Sequence, residues 1–179
     1  MNRLTTRPQE LALPIASLAA LRNTLIDAVG EDAAAHALRA SGHAAGDALF
    51  TALVSGNVDE AIPAERFWQR LGQLFHTRGW GTLRHEDAHP GVGALNSLDW
   101  VEADAIGSAL RPSCFLTTGL LANLLGRISG EEVAVLEVEC RSRGDARCRF
   151  LFGSASALDA VYARVAAGES ANASLAALR

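Results

Sequence analysis

The feature that most constrains how this chain can fold is a set of four residues, Cys114, Glu137, Cys140 and Cys148, spaced C-x22-E-x2-C-x7-C. Three thiolates and a carboxylate complete a tetrahedral shell for a zinc-sized, borderline-soft ion and leave no position for a reacting water. A fold that uses all four must bring the segment at Cys114 against a later stretch, Glu137 to Phe152. There a β-rich run, a polar turn containing Gly144 and a second apolar run predict a hairpin. The spacing alone leaves a second arrangement open. Cys140 and Cys148 can form a cross-hairpin disulfide while Cys114 is an ordinary buried thiol, because the pattern is not a common zinc-finger spacing.

The remaining elements follow from apolar periodicity and its punctuation. Pro14 opens a first amphipathic helix that carries Leu18, Leu21, Leu25, Ile26 and Val29 and ends at Gly30. A second spans about Glu31 to Val54 and stops at Ser55-Gly56-Asn57, with Gly42 and Gly46 weakening it locally. A third runs from Pro63 to Arg78, its apolar arc made by Phe67, Trp68, Leu71, Leu74 and Phe75. Trp80 to Arg84 and Val92 to Ser97 read as short strands around a polar turn at Asp87 to Gly91. Pro112 opens a helix from Ser113 to about Ile128, the later hairpin follows, and Ser154 caps a final helix. This order predicts an α+β fold with an antiparallel sheet of about four strands packed with helices. Residues 1–12 are expected to be disordered, 13–168 to form a single zinc-binding domain and 169–179 to be a weakly ordered tail.

The segments Ser113-Cys-Phe-Leu-Thr-Thr-Gly-Leu-Leu-Ala122, Glu137-x-x-Cys140 and Gly144-Asp-Ala-Arg-Cys148-Arg-Phe150 resemble the C-terminal half of the 4-vinyl reductase (hydrocarbon-binding) domain family. That family includes proteins named for bacteriochlorophyll 4-vinyl reduction, sensor domains of phenol- and xylene-responsive bacterial activators and, more distantly, TRAPP tethering subunits. The resemblance implies a structural zinc ion on Cys114, Glu137, Cys140 and Cys148. It also implies a pocket for a small hydrophobic, aromatic or tetrapyrrole-like ligand, and a homodimer. In the aromatic sensors a histidine and a tryptophan hold the ligand's hydroxyl. By order along the chain His76 and Trp100 take those roles, with Trp68, Phe75, Phe115 and Thr118 as further pocket residues. Aliphatic residues stand after Cys114 where phenol sensors carry tyrosines, which argues against phenol itself as the ligand.

Composition narrows the chemistry. All sixteen basic side chains are arginine, so Schiff-base catalysis and a Walker A lysine are excluded. No Gly-x-Gly-x-x-Gly follows a strand, and all five histidines lie upstream of Cys114 without a catalytic motif, so no catalytic residue is assigned. His36 and His43 share a helix face, and His85 and His89 flank a turn; neither pair has a known ligand spacing. A net charge of −4 argues against direct nucleic-acid binding. Arg141, Arg143, Arg147 and Arg149 are the local exception, read as a solvated hairpin that also offsets the negative charge of a thiolate-rich metal site. No membrane span and no hydrophobic leader are evident, and a cytoplasmic location is expected. The functional expectation is a ligand-binding module for sensing or delivery. A component of a 4-vinyl reductase and a TRAPP-like dimeric scaffold are the alternatives.

Overall fold

The computed structural model describes residues 10–54 and 63–178. Its elements are α1 (Ile15–Val29), α2 (Glu31–Val54), α3 (Ala64–Thr77), β1 (Arg84–His89), β2 (Val92–Ser97), α4 (Val101–Ile106), α5 (Phe115–Ser129), β3 (Ala134–Glu139), β4 (Cys148–Gly153), α6 (Ala155–Ala166) and α7 (Ala171–Ala176). The four strands form one antiparallel sheet in the order β1-β2-β4-β3. The expected fold class is therefore the observed one. No helix among the described residues is long and apolar enough to cross a membrane.

Strand alternation divides the sheet into two apolar faces. On one, Leu95, Cys148, Phe150 and Phe152 join Leu71, Phe75, Trp100, Leu121 and Leu124 in the main core, beneath α3 and α5. On the other, Ala94, Val138 and Leu151 pack with Leu158 and Val161 of α6 and Leu175 of α7. The sheet is a filling between two helical layers. Arg149 of β4 is 2% exposed on the second face, where it reaches Glu86 of β1, Glu139 of β3 and Asn172 of α7. One guanidinium thus ties together three strands and a helix.

Glycine decides how α2 meets α5. A Cβ at Gly42 would collide with the Leu116 carbonyl oxygen, one at Gly119 would collide with that of Arg39, and one at Gly46 would lie 2.6 Å from Asn123 Cβ. Backbone touches backbone. The glycines that weaken α2 by propensity are what let α5 approach it, a gain in packing that outweighs the loss of about 1 kcal/mol at each position.

Three expectations need correction. The first strand runs over Arg84–His89 rather than Trp80 to Arg84, and the turn is Pro90-Gly91, with Gly91 at φ 79°. Polar residues are tolerated there because β1 is an edge strand whose charges are used: Glu86 accepts from Arg149 and from Asn96. Trp80 instead packs near Phe75, and the Thr82 amide donates to Asp99. The short helix α4 has no counterpart in the sequence reading. Nor has α7, where Ser170 caps a turn that buries Leu175 in place of a loose tail. Ser55 to Asn57, expected to stop α2, and residues 1–9 of the expected disordered N-terminus lie outside the described residues, while Glu10 pairs with Arg78 at 2.7 Å.

Candidate metal centre and adjoining cleft

Cys114 is the N-cap residue of α5, Glu137 lies in β3, Cys140 follows β3, and Cys148 begins β4. A regular strand would point residues three apart to opposite faces. The register shift between Glu137 and Glu139 takes up one residue, so Glu137 and Cys140 face the same way. A 3-10 turn, Arg141–Arg143, then reverses the chain at Gly144, whose φ is 96°. Asp145 fixes this turn by accepting from the Cys140 amide at 2.7 Å and from Arg143 Nε at 2.8 Å.

The result is one buried quartet. The candidate ligand atoms of Cys114, Glu137, Cys140 and Cys148 all lie within 4.8 Å of one another, and the three cysteines are free thiols, so the disulfide reading falls. Cys114 Sγ and Cys140 Sγ are 3.7 Å apart. That matches the edge of a tetrahedron with metal–sulfur bonds of roughly 2.3 Å, for which about 3.8 Å is expected. Glu137 Oε2 accepts from the Cys114 amide at 2.8 Å, while its Oε1 is buried with no hydrogen-bond partner. A buried carboxylate oxygen left unpaired is costly, and a cation is the partner that this donor set suits. The residues fit a metal ion.

Electrostatics among the four side chains point the same way. Burial, then the Cys140 charge, pushes Glu137 well above the usual carboxylate range. Hydrogen bonds with Cys140 and Cys148, and then burial, push the Cys114 thiol up, whereas hydrogen bonds with Cys114 and Cys148 hold Cys140 low. One negative charge shared among three sulfurs is what a dry site tolerates by itself; a divalent ion reverses that limit. The nearby arginines each have a carboxylate: Arg141 with Asp104, Arg143 with Asp145, Arg147 with Glu139 and Arg149 with Glu86. They balance local charge and do not form an open anion patch.

Behind the quartet lies a second buried carboxylate, Glu102 of α4, which the sequence reading does not single out. It accepts from the Leu116 amide at 2.9 Å and the Thr117 amide at 2.8 Å in the first turn of α5, and Thr117 Oγ1 also donates to it. Glu102 caps a helix from a distance. Burial nevertheless raises its pKa to about 7.

A cleft of about 470 Å³ opens between α2, α5, β3 and α6. Phe115, Val135, Leu136, Val138 and Val165 supply apolar wall, with Arg39 and Tyr162 among the polar residues. A neighbouring hollow of about 350 Å³ shares His36, Arg39, Thr118 and Val135 with it and adds His43, so the two are continuous. His36 and His43 do share a helix face. Of the six ligand-binding candidates named from sequence, Phe115 and Thr118 line this trough. Trp68, Phe75 and Trp100 pack in the main core: Trp68 stacks on His85 at 3.9 Å, and Phe75 meets Trp100 edge-on at 5.4 Å. Trp100 is fully buried and its single donor, Nε1, is used by Thr117 Oγ1 at 2.7 Å, while His76 is exposed on α3.

Comparison with known proteins places this geometry. Residues 99–154, the stretch from the approach to α4 through β4, match the 4-vinyl reductase domain. No curated protein matches the chain. Among solved structures, the phenol-responsive sensory domain of the transcription activator PoxR, determined with phenol, superposes with a TM-score of 0.73 at 20% identity, covering 88% of this chain and 82% of that one. A vinyl-4-reductase family protein from Methanocaldococcus jannaschii gives 0.56 at 18% identity, covering 80% and 83%. At these identities the likeness is one of fold.

Proposed function

We propose that this chain, similar to the 4-vinyl reductase domain, is a small-molecule-binding module used in sensing or ligand delivery, whose Cys114, Glu137, Cys140 and Cys148 hold one structural zinc ion. The observation that carries the reading is the buried quartet with its unpaired Glu137 Oε1. Zinc with four protein ligands has no open position, so it supplies a cross-link between α5 and the β3–β4 hairpin and no site for substrate. That cross-link holds two walls of the cleft together, since Phe115 follows one ligand in α5 and Leu136 and Val138 flank another in β3.

A module of this kind suits a hydrophobic, aromatic or tetrapyrrole-like ligand. The solved relative that responds to phenol supports the sensing side of the reading. The reduced thiols suit the cytosol, where glutathione and thioredoxin keep cysteines unpaired. A homodimer belongs to the same proposal. Arg22 is the one buried residue of α1, while Ile15, Leu21 and Val29 are exposed, leaving apolar surface for a second copy to cover.

Native mass spectrometry of the purified protein tests these points together. The expected species is a dimer with one zinc per chain, whose zinc is lost on Cys148→Ala. A metal-free protein that is equally stable without Cys148 overturns the metal assignment, and a monomer overturns the dimer. Incubation with a divinyl tetrapyrrole and reduced nicotinamide or ferredoxin separates binding from catalysis. Multiple turnovers would establish the reductase in place of the binding module.

A further inference from the structure

Charge within the α2–α5–β3–α6 cleft is unevenly matched. Arg111 is held by Asp32 at 2.8 Å and by Glu31 at 3.0 Å, and Arg143 by Asp145 at 2.7 Å. Arg39 has no carboxylate and no hydrogen-bond partner among the described residues. Its guanidinium lies over the Phe115 ring, 4.7 Å from the centroid, where the two halves of the trough meet. Asp32, the acidic residue on the same wall, is already engaged by Arg111, and Glu137 is turned into the quartet.

An arginine stacked on an aromatic ring keeps its planar fork of donors free for a carboxylate or phosphate. Burial, and then the charge of Arg111, pushes the Arg39 guanidinium below its ordinary pKa, the mark of a cation without a counter-ion. Below it the wall is apolar: Phe115, Val135, Leu136, Val138 and Val165. The volume, about 470 Å³, lies within the range of roughly 300–1,000 Å³ usual for small-molecule sites.

We infer that the cleft binds an amphipathic monoanion, its carboxylate on Arg39 and its hydrocarbon body along Phe115, Val135 and Val138. This rests on the ligand-binding reading and specifies the ligand class. It differs from a neutral phenol in requiring a charge at one end. The three features it needs are all present: one uncommitted cation, an apolar floor beneath it, and open access between α2 and α6.

Octanoate and 1-octanol share a hydrocarbon tail and differ in charge, so titration calorimetry of the intact zinc-loaded protein with each tests the inference. Octanoate is expected to bind at least tenfold more tightly than octanol. Arg39→Gln should bring octanoate down to the level of octanol, Arg39→Lys should restore most of the preference, and Val165→Trp should weaken both by filling the cleft. Melting curves and zinc content establish that each variant is folded. Equal binding of the two ligands, or a preference that survives Arg39→Gln, overturns the anion assignment; if that binding is still lost in Val165→Trp, the ligand-binding reading stands. Failure of both ligands to bind the wild-type protein overturns both.

Discussion

At the scale of single residues, the metal quartet and Glu102 govern different things. Cys148→Ser removes one sulfur from a dry cluster and leaves its neighbours without the shared cation. It should cost several kcal/mol, on the order of a lost structural metal site, and lower the Tm together with the zinc content. A surface control such as Arg164→Gln, whose partner Glu169 is also solvent-accessible, should shift the Tm by a degree or two at most. Glu102 makes a pH-dependent contribution. Its folded pKa is raised to about 7 by burial, against 4.5 ordinarily. Between those values the unfolded chain has released the proton and the folded chain keeps it, so stability falls as pH climbs from about 4.5 to 7 and then levels. Relative to Glu102→Gln, the wild-type Tm should therefore decline between pH 5 and pH 7. A flat difference across that range would show that Glu102 stays ionised throughout, held by the Leu116 and Thr117 amides.

At the scale of elements, the closest contact is between α2 and α5. Gly119→Ala places a methyl carbon about where the Arg39 carbonyl oxygen sits, so the helices must move apart, at an expected cost of about 3 kcal/mol. Gly144 tests the opposite case, because nothing lies within 4 Å of an added Cβ; Gly144→Ala should cost about 1 kcal/mol, through its positive φ alone. Thermal denaturation of the two variants distinguishes packing from backbone strain. Long elements were legible in the sequence: the 24 residues of α2 carry enough apolar repeats and a strong enough first turn, Glu31 and Asp32, to read their bounds. The later hairpin was legible because its alternation is undisturbed, and the quartet because its residue types admit so few uses. The edge strand β1 was not, since Glu86 and Asp87 carry turn-like polarity whose partners, Arg149 above all, lie far along the chain. The six residues of α4 and of α7 are each too short for a period to show. The cleft was legible only through Phe115 and Thr118. Its other walls come from separate elements, and no local spacing records that Arg39 is left without a carboxylate.

At the scale of the molecule, the sheet order β1-β2-β4-β3 seats the last strand pair inside and at the edge of a sheet begun much earlier, and α2 waits for α5 to complete its packing. Both pairings close long stretches of chain. Refolding in stopped-flow fluorescence, which Trp80 and Trp100 report from the core, should accordingly take milliseconds to seconds and not microseconds. Gly119→Ala should slow it if the two helices meet in the transition state, and otherwise speed unfolding alone. The glycine contact also has a consequence for synthesis in the cell. While the ribosome is still adding residues beyond α2, the faces of Gly42 and Gly46 have nothing to rest on, and the nascent chain carries an apolar helical surface for as long as the next seventy or so residues take to emerge, roughly 4–14 s at ordinary elongation rates. Slow translation before Cys114 would lengthen that exposure, and the yield of folded protein should then depend on chaperone supply more than on the stability of the finished molecule.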